Sequence, residues 1–181
     1  MKSWVLLVAG YMLISAVGEA QLAKSADEIL KQAYSEAAKE QKNVFVIFHA
    51  SWCGWCKKMD AAMNDQSVKK FFADNYVICH LVVYESKGKE NLKNPGALEL
   101  LKRYKGEEQG IPYWLIFDKH GKLLADSKLR PEGGGLETGD NTGCPASETE
   151  VANFLKVLKK TSSLKEAELA IIQKRFRENE N

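Results

Sequence analysis

Val44-Phe45-Val46-Ile47-Phe48 is apolar at every position and rich in β-branched and aromatic residues. Such a run belongs in a strand covered on both faces, which requires layers of structure above and below it. A second run of this kind, Tyr76 to Tyr84, follows after Met59, Ala62 and Met63, then Val68, Phe71 and Phe72, which recur at helical spacing. Asn64-Asp65-Gln66-Ser67 interrupts that spacing, so the connection is one kinked helix or two helices. Two buried strands joined through helix predict a right-handed β-α-β crossover with parallel strands.

The remaining segments fit around this unit. Ser25-Ala26-Asp27-Glu28 is a capping-box pattern that opens an amphipathic helix ending near Lys42-Asn43. Asn94-Pro95 predicts an N-cap and first-turn proline for a short helix carrying Ala97, Leu98, Leu100, Leu101 and Tyr104. Pro112–Phe117 and Lys122–Ser127 read as a hairpin around Asp118-Lys119-His120-Gly121. Arg130 to Ala146 is too rich in glycine and proline for sustained regular structure and predicts an exposed loop. Ser147-Glu148-Thr149-Glu150 and Ser163-Leu164-Lys165-Glu166 predict the starts of two final helices, the second fraying into Glu178–Asn181.

Length and charge narrow the function. A chain of 181 residues, 45% hydrophobic, supports one ordinary core rather than two full domains. A net charge of +2 suggests neither nucleic acid nor an anionic membrane surface as a partner. Lys156, Lys159, Lys160, Lys174, Arg175 and Arg177 are interleaved with Glu and read as a solvated face. At the other end, Met1-Lys2 precedes an apolar run from Trp4 to Val17, followed by Gly18 and Ala20, the layout of a secretory leader. The run is short for a bilayer, so the expectation is export to a periplasmic or secreted location without permanent membrane insertion. The domain reading is a leader at 1–20, one domain at 21–160 and a charged helical extension at 161–181.

Chemistry is concentrated in Ser51-Trp52-Cys53-Gly54-Trp55-Cys56-Lys57-Lys58, directly after the first buried strand. A thiol at the first turn of a helix meets unpaired backbone N–H groups and the positive end of the dipole, which favour the thiolate. Cys53 is therefore the expected nucleophile. Cys56, three residues later and expected to be more buried, is the resolving thiol. Lys57 and Lys58 add positive charge nearby. The same spacing also fits a structural clip or half a zinc site, but Cys79, Cys144, His49, His80 and His120 form no second paired motif, so no metal is expected. Haem attachment would need His after Cys56, where Lys57 stands. Cys79 reads as a small buried residue or as one end of a second disulfide with Cys144; His80 and His120 read as structural.

Val44 to Lys57, followed by Gly110-Ile111-Pro112, resembles the thioredoxin superfamily, and in detail its exported thiol:disulfide interchange domains. The resemblance runs from about Ser25 to Leu158. It implies an α/β thioredoxin-like fold with a central mixed β-sheet flanked by helices and, here, an extra C-terminal helix. It also implies a thiol:disulfide oxidoreductase that uses Cys53 as nucleophile and Cys56 as resolving thiol. Pro112 would be a cis-proline, Ile111 would offer its backbone to an extended peptide, and Trp52, Gly54 and Trp55 would complete the substrate surface. Partners would be protein thiols and disulfides and an upstream electron donor or acceptor, with no cofactor beyond the dithiol. Two other functions fit the same segments: a peptide-binding or chaperone-like module with little turnover, and a thiolate metal handler.

The sequence departs from that pattern in three places. Ile47 stands where the superfamily carries a buried acid, leaving His49, Glu85 or water as candidates to accept the Cys56 proton. Trp55 replaces the usual proline inside the dithiol, which leaves reductant, oxidant and isomerase open. The glycine-rich loop and last helix exceed a minimal thioredoxin and are candidates for shaping partner choice.

Overall fold

Alternation along the first apolar run explains the layers. In a computed structural model that describes residues 23–180, β1 (Asn43–His49) is buried at each position from Val44 to Phe48. Phe45 and Ile47 face one core, while Val44, Val46 and Phe48 face another. The leader expected at 1–20 lies outside the described residues.

Before β1 runs α1 (Ala26–Glu40), opened by the expected capping box: Ser25 Oγ accepts the Glu28 N–H, and Glu28 Oε2 accepts the Ser25 N–H at 2.8 Å. After β1 come α2 (Gly54–Met63) and α3 (Lys69–Asn75), two helices rather than one. They are divided where Asp65 Oδ1 accepts from the Ser67 N–H and hydroxyl. β2 (Tyr76–Val82) then pairs parallel with β1, with Val46 opposite Cys79. Next follow α4 (Ala97–Arg103), β3 (Tyr113–Phe117) and β4 (Leu123–Asp126). β3 is antiparallel to both β1 and β4, giving a mixed sheet in the order β2-β1-β3-β4.

α1 and α4 cover one face of the sheet through Leu30, Ala37 and Leu101. The other face is covered by α2 and α3 together with α5 (Glu148–Thr161) and α6 (Glu166–Arg177). Here Phe154 is the hub, with ring centroids 4.9 Å from Phe176, 5.5 Å from Trp114 and 6.3 Å from Phe72. Burying side chains of this size contributes roughly 1.5–3 kcal/mol each. Leu169, Ile172 and Phe176 of α6 are part of this same core. Among the described residues, no helix is long and apolar enough to cross a membrane.

Several local expectations are corrected. Asn94-Pro95 does not cap α4; the cap is Gly96, at φ 82°. Asn94 instead ties β2 to the start of α1, accepting the Val82 N–H and donating to the Lys24 carbonyl. α6 is entered through Lys165, whose N–H donates to Glu168, and not through Ser163, which bonds Asn75. The tail does not fray over its described length, because Asn179 is buried and donates to Cys144 Sγ and to the Pro145 carbonyl. Nor do the C-terminal cations form a uniformly solvated face, since Arg175 pairs with Asp65 and Arg177 donates to the Ala146 carbonyl. The glycine-rich stretch is not wholly irregular: its β6 (Asp140–Asn141) pairs antiparallel with β5 (Lys128–Leu129), just before it, as a small ribbon. Cys79 and Cys144 are both free, packed against cores on opposite faces of the sheet, so a bridge between them is ruled out.

Candidate active site

The chain leaves β1 through a turn in which the Cys53 N–H donates to the Ala50 carbonyl, and Cys53 becomes the N-cap of α2. Its Sγ accepts the Cys56 N–H at 3.1 Å, taking the capping place that a hydroxyl or carboxylate usually fills. Cys53 and Cys56 are joined as a disulfide, with Cα atoms 5.3 Å apart. Their residue exposures are 3% and 2%, so Cys56 is not the markedly more buried partner the sequence suggests. A rim of aromatic surface lies beside them: Trp52 and Trp55 are 54% and 49% exposed. Gly54 has open space where a Cβ would project. Lys58 Nζ stands over the Trp55 ring at 4.7 Å and donates to the Asn179 carbonyl.

The segment after β2 fixes the approach to the dithiol. The Val83 N–H donates to the His49 carbonyl, and the Tyr84 carbonyl accepts the Trp52 Nε1–H at 2.8 Å. Glu85 accepts from the Ser51 N–H at 2.5 Å and from its hydroxyl at 2.8 Å. Desolvation pushes the Glu85 carboxyl up, but the two Ser51 hydrogen bonds, with Lys89 nearby, hold it below the usual carboxylate range.

Opposite lies the loop before β3. The Ile111–Pro112 peptide bond is cis, and the Ile111 carbonyl oxygen lies 3.6 Å from Cys53 Sγ. Ile111 packs on Ala50, Cys53 and Cys56, so the fold brings together two stretches that are far apart in sequence. On the helix side, Ile47 is buried among apolar neighbours, and the nearby polar groups are a His49–His80–Asp60 cluster. The two imidazole rings are 5.0 Å apart, and His80 Nε2 bonds Asp60 Oδ1 at 2.8 Å. Burial, then His80, holds the His49 imidazole below its ordinary value. His120 sits in the exposed β3–β4 turn, far from this chemistry in role, its N–H bonded to Asp118. Among the described residues, no group of three or more His, Cys, Asp or Glu is placed to hold a metal ion.

One residue of the site has no counterpart in the sequence reading. Asn141, from β6, donates through Nδ2 to the carbonyls of Gln109, Gly110 and Pro112 at 3.1, 3.3 and 3.0 Å. The only local signal for it is Asn two residues before Gly143, whose N–H its Oδ1 accepts; its tertiary partners have no signature in sequence.

A dithiol in this setting can alternate between disulfide and thiols, with the helix terminus available to stabilise a thiolate at Cys53. Residues 26–119 match the thioredoxin-like family. Among solved structures, the disulphide isomerase from Xylella fastidiosa Temecula1 is similar at 21% identity and a TM-score of 0.52, covering 74% of this chain and 91% of that one. A DsbH oxidoreductase is 24% identical, with a TM-score of 0.40, over 87% of this chain and 95% of its own. A thioredoxin from Thermus thermophilus is 19% identical, with a TM-score of 0.43, over 78% and 86%. No curated protein matches by sequence. At 21% identity the likeness to the Xylella structure speaks to the fold alone.

Proposed function

The chain belongs to the thioredoxin-like family, and from that premise we propose that it is an exported thiol:disulfide oxidoreductase that exchanges disulfides with protein substrates through Cys53 and Cys56. The observation that carries this reading is Cys53 at the N-cap of α2, with its sulfur on the Cys56 N–H and 3.6 Å from the Ile111 carbonyl.

In the reducing direction, the Cys53 thiolate attacks one sulfur of a substrate disulfide. A Cys53–substrate S–S bond forms, the substrate S–S bond breaks, and the departing thiolate takes up a proton. Cys56 then loses its proton and attacks Cys53 Sγ, releasing the second substrate thiol and closing the Cys53–Cys56 disulfide. The substrate gains two electrons and two protons: the dithiol supplies both electrons and the Cys56 proton, and solvent returns the proton that Cys53 gave up on becoming a thiolate. The reverse sequence oxidises a substrate dithiol. Ile111 and Pro112 offer backbone to an extended substrate segment, and Trp52, Gly54 and Trp55 supply the apolar rim it lies against. Of the candidates to accept the Cys56 proton, Glu85 is engaged by Ser51, which leaves His49 or water.

Residues 1–20 act as the leader in this reading, and 21–160 as the redox domain, with the helical residues from 161 completing its core. Export is supported by the Trp4–Val17 run and the small residues after it. Expression with the leader in a secreting host, followed by N-terminal sequencing, is expected to give a mature chain starting at Gln21; retention of Met1 on an internal protein contradicts export. Insulin reduction tests the chemistry. Cys53→Ser is expected to abolish it, and Cys56→Ser to accumulate mixed disulfides with the substrate. Full activity in both variants overturns the reading. Equilibration with glutathione then decides direction: a strongly reducing dithiol serves as a reductant fed by an electron donor, and a less reducing one as an oxidant or isomerase.

A further inference from the structure

The glycine-rich stretch lies wholly outside the residues that match the family, yet it ends against the active-site loop. It is a built element. Arg130 bridges to Asp126 at 2.8 Å and donates to the Thr138 carbonyl, and Lys128 Nζ donates to the Leu136 carbonyl. Gly139 sits at φ 81°, where a Cβ would meet the Leu129 carbonyl oxygen at 2.3 Å, so the β5–β6 ribbon closes only around glycine. Thr142 is secured to β4's end by its N–H and hydroxyl, both donated to the Ser127 carbonyl, and Trp114 Nε1 donates to the Gly143 carbonyl.

From this anchored ribbon Asn141 reaches the loop that faces the sulfurs. Its side-chain amide donates to three carbonyls of residues 109–112, and its backbone N–H donates to Gln109 Oε1 at 3.3 Å. The interaction spans both sides of the Ile111–Pro112 bond. Next to it, a pocket of about 240 Å³ is lined by Trp55, Ile111, Pro112 and residues 141–143, so the ribbon and the turn after it form one wall of the space between Trp55 and the cis-proline. Where Gly143 approaches, a Cβ would come within 3.4 Å of the Pro112 carbonyl.

We propose that Asn141 is a positioning residue: it holds the Gln109–Pro112 backbone against which a peptide disulfide is laid, and through it the glycine-rich ribbon selects which protein disulfides are exchanged. This rests on the exchange function proposed above. Asn141 touches neither sulfur, and the ordering it provides matters to a substrate that pairs with the loop, not to a small disulfide that meets only Cys53.

The test compares reduced wild type, Asn141→Ala and the isosteric Asn141→Asp on two substrates, a disulfide-linked peptide pair and hydroxyethyl disulfide, with the glutathione equilibrium measured for each protein. Both variants are expected to raise KM for the peptide about tenfold with kcat within about twofold, the pattern of lost binding common to ground and transition states. The rate with hydroxyethyl disulfide and the glutathione equilibrium are expected to stay within about twofold. If Asn141→Ala loses its near-ultraviolet circular dichroism, Asn141→Asp, which keeps the volume, supplies the reading. An unchanged peptide KM, an equal loss on both substrates or a displaced glutathione equilibrium overturns the inference while leaving the exchange function standing. A wild type that exchanges neither disulfide overturns the exchange function, and this inference with it.

Discussion

Cys53 and Cys144 occupy two settings that burial alone does not tell apart. Cys53 at the mouth of α2 is 3% exposed and Cys144 at the end of the ribbon is 4% exposed. What differs is the polar company each sulfur keeps. Cys53 caps a helix and accepts a backbone N–H in its first turn, where the dipole favours negative charge. Cys79 and Cys144 pack against apolar cores, Cys144 with a side-chain amide from Asn179 and no helix terminus on its sulfur, and burial pushes each thiol up to about 12. Cys144 is near Lys58 and Arg175, which pull the other way, yet desolvation prevails. Reactivity therefore follows from which backbone dipoles address a sulfur, and seclusion from solvent is compatible with either outcome.

The most direct way to break this contrast is to exchange the sulfurs for other atoms. Cys53→Ser is expected to lower disulfide exchange at least about a thousandfold, as loss of a nucleophile does. Cys79→Ala and Cys144→Ala are expected to leave exchange within about twofold while costing about 1 kcal/mol each in urea unfolding. The Cys144 loss includes the contact with Asn179 that docks the C-terminal tail. A second active-site loss on removing either would erase the distinction. Glu85→Gln sharpens it further: an amide offers one acceptor oxygen to Ser51 where the carboxylate offers two, and exchange measured with insulin is expected to fall about threefold from the loosened approach to Cys53.

The smallest effect separates acid sensitivity of the fold from acid sensitivity of the sulfur. His49 faces His80 from β2, Asp60 from α2 and Glu85 after β2, and its folded value lies below the ordinary one. As pH falls below about 6.5, the unfolded chain binds a proton that the folded chain does not, so stability present above that pH is lost on acidification. Chemical denaturation of His49→Gln between pH 5 and 7.5 is expected to show a shallower decline than wild type. Its exchange rate is expected to keep falling in acid, because Cys53 still becomes protonated. A denaturation profile identical to wild type contradicts the His49 imidazole as a source of the acid-side loss of stability.

Legibility in the sequence follows from where each element's partners lie. β1, the dithiol and α2 were legible because an unbroken apolar run, a helical period and a C-x-x-C are all local. The two capping boxes at Ser25 and Ser147 held for the same reason. Asn94-Pro95 misled because tertiary partners outcompeted the local cap: the Pro95 carbonyl takes the Ala26 N–H while the Asn94 side chain reaches Val82 and Lys24. The polar tail read as fraying because the groups that bury Asn179, namely Cys144, Pro145 and Arg175, meet it only in the folded chain. Asn141 escaped notice for that reason too, as one polar residue in a glycine-rich segment whose aperiodic pattern carries no register. The pairing of the dithiol with Ile111-Pro112 was accessible only through resemblance, since nothing in spacing alone brings residue 111 to residue 53.

The measurement that tests the account most directly is carbamidomethylation of the reduced, native protein with iodoacetamide at pH 6.5, followed by mass spectrometry at each cysteine. The account predicts that Cys53 is modified first and almost alone, and that Cys79 and Cys144 react only once the protein is unfolded in guanidinium. Modification of Cys79 or Cys144 in the native protein at a rate matching Cys53, or a Cys53 as inert as those two, would contradict it.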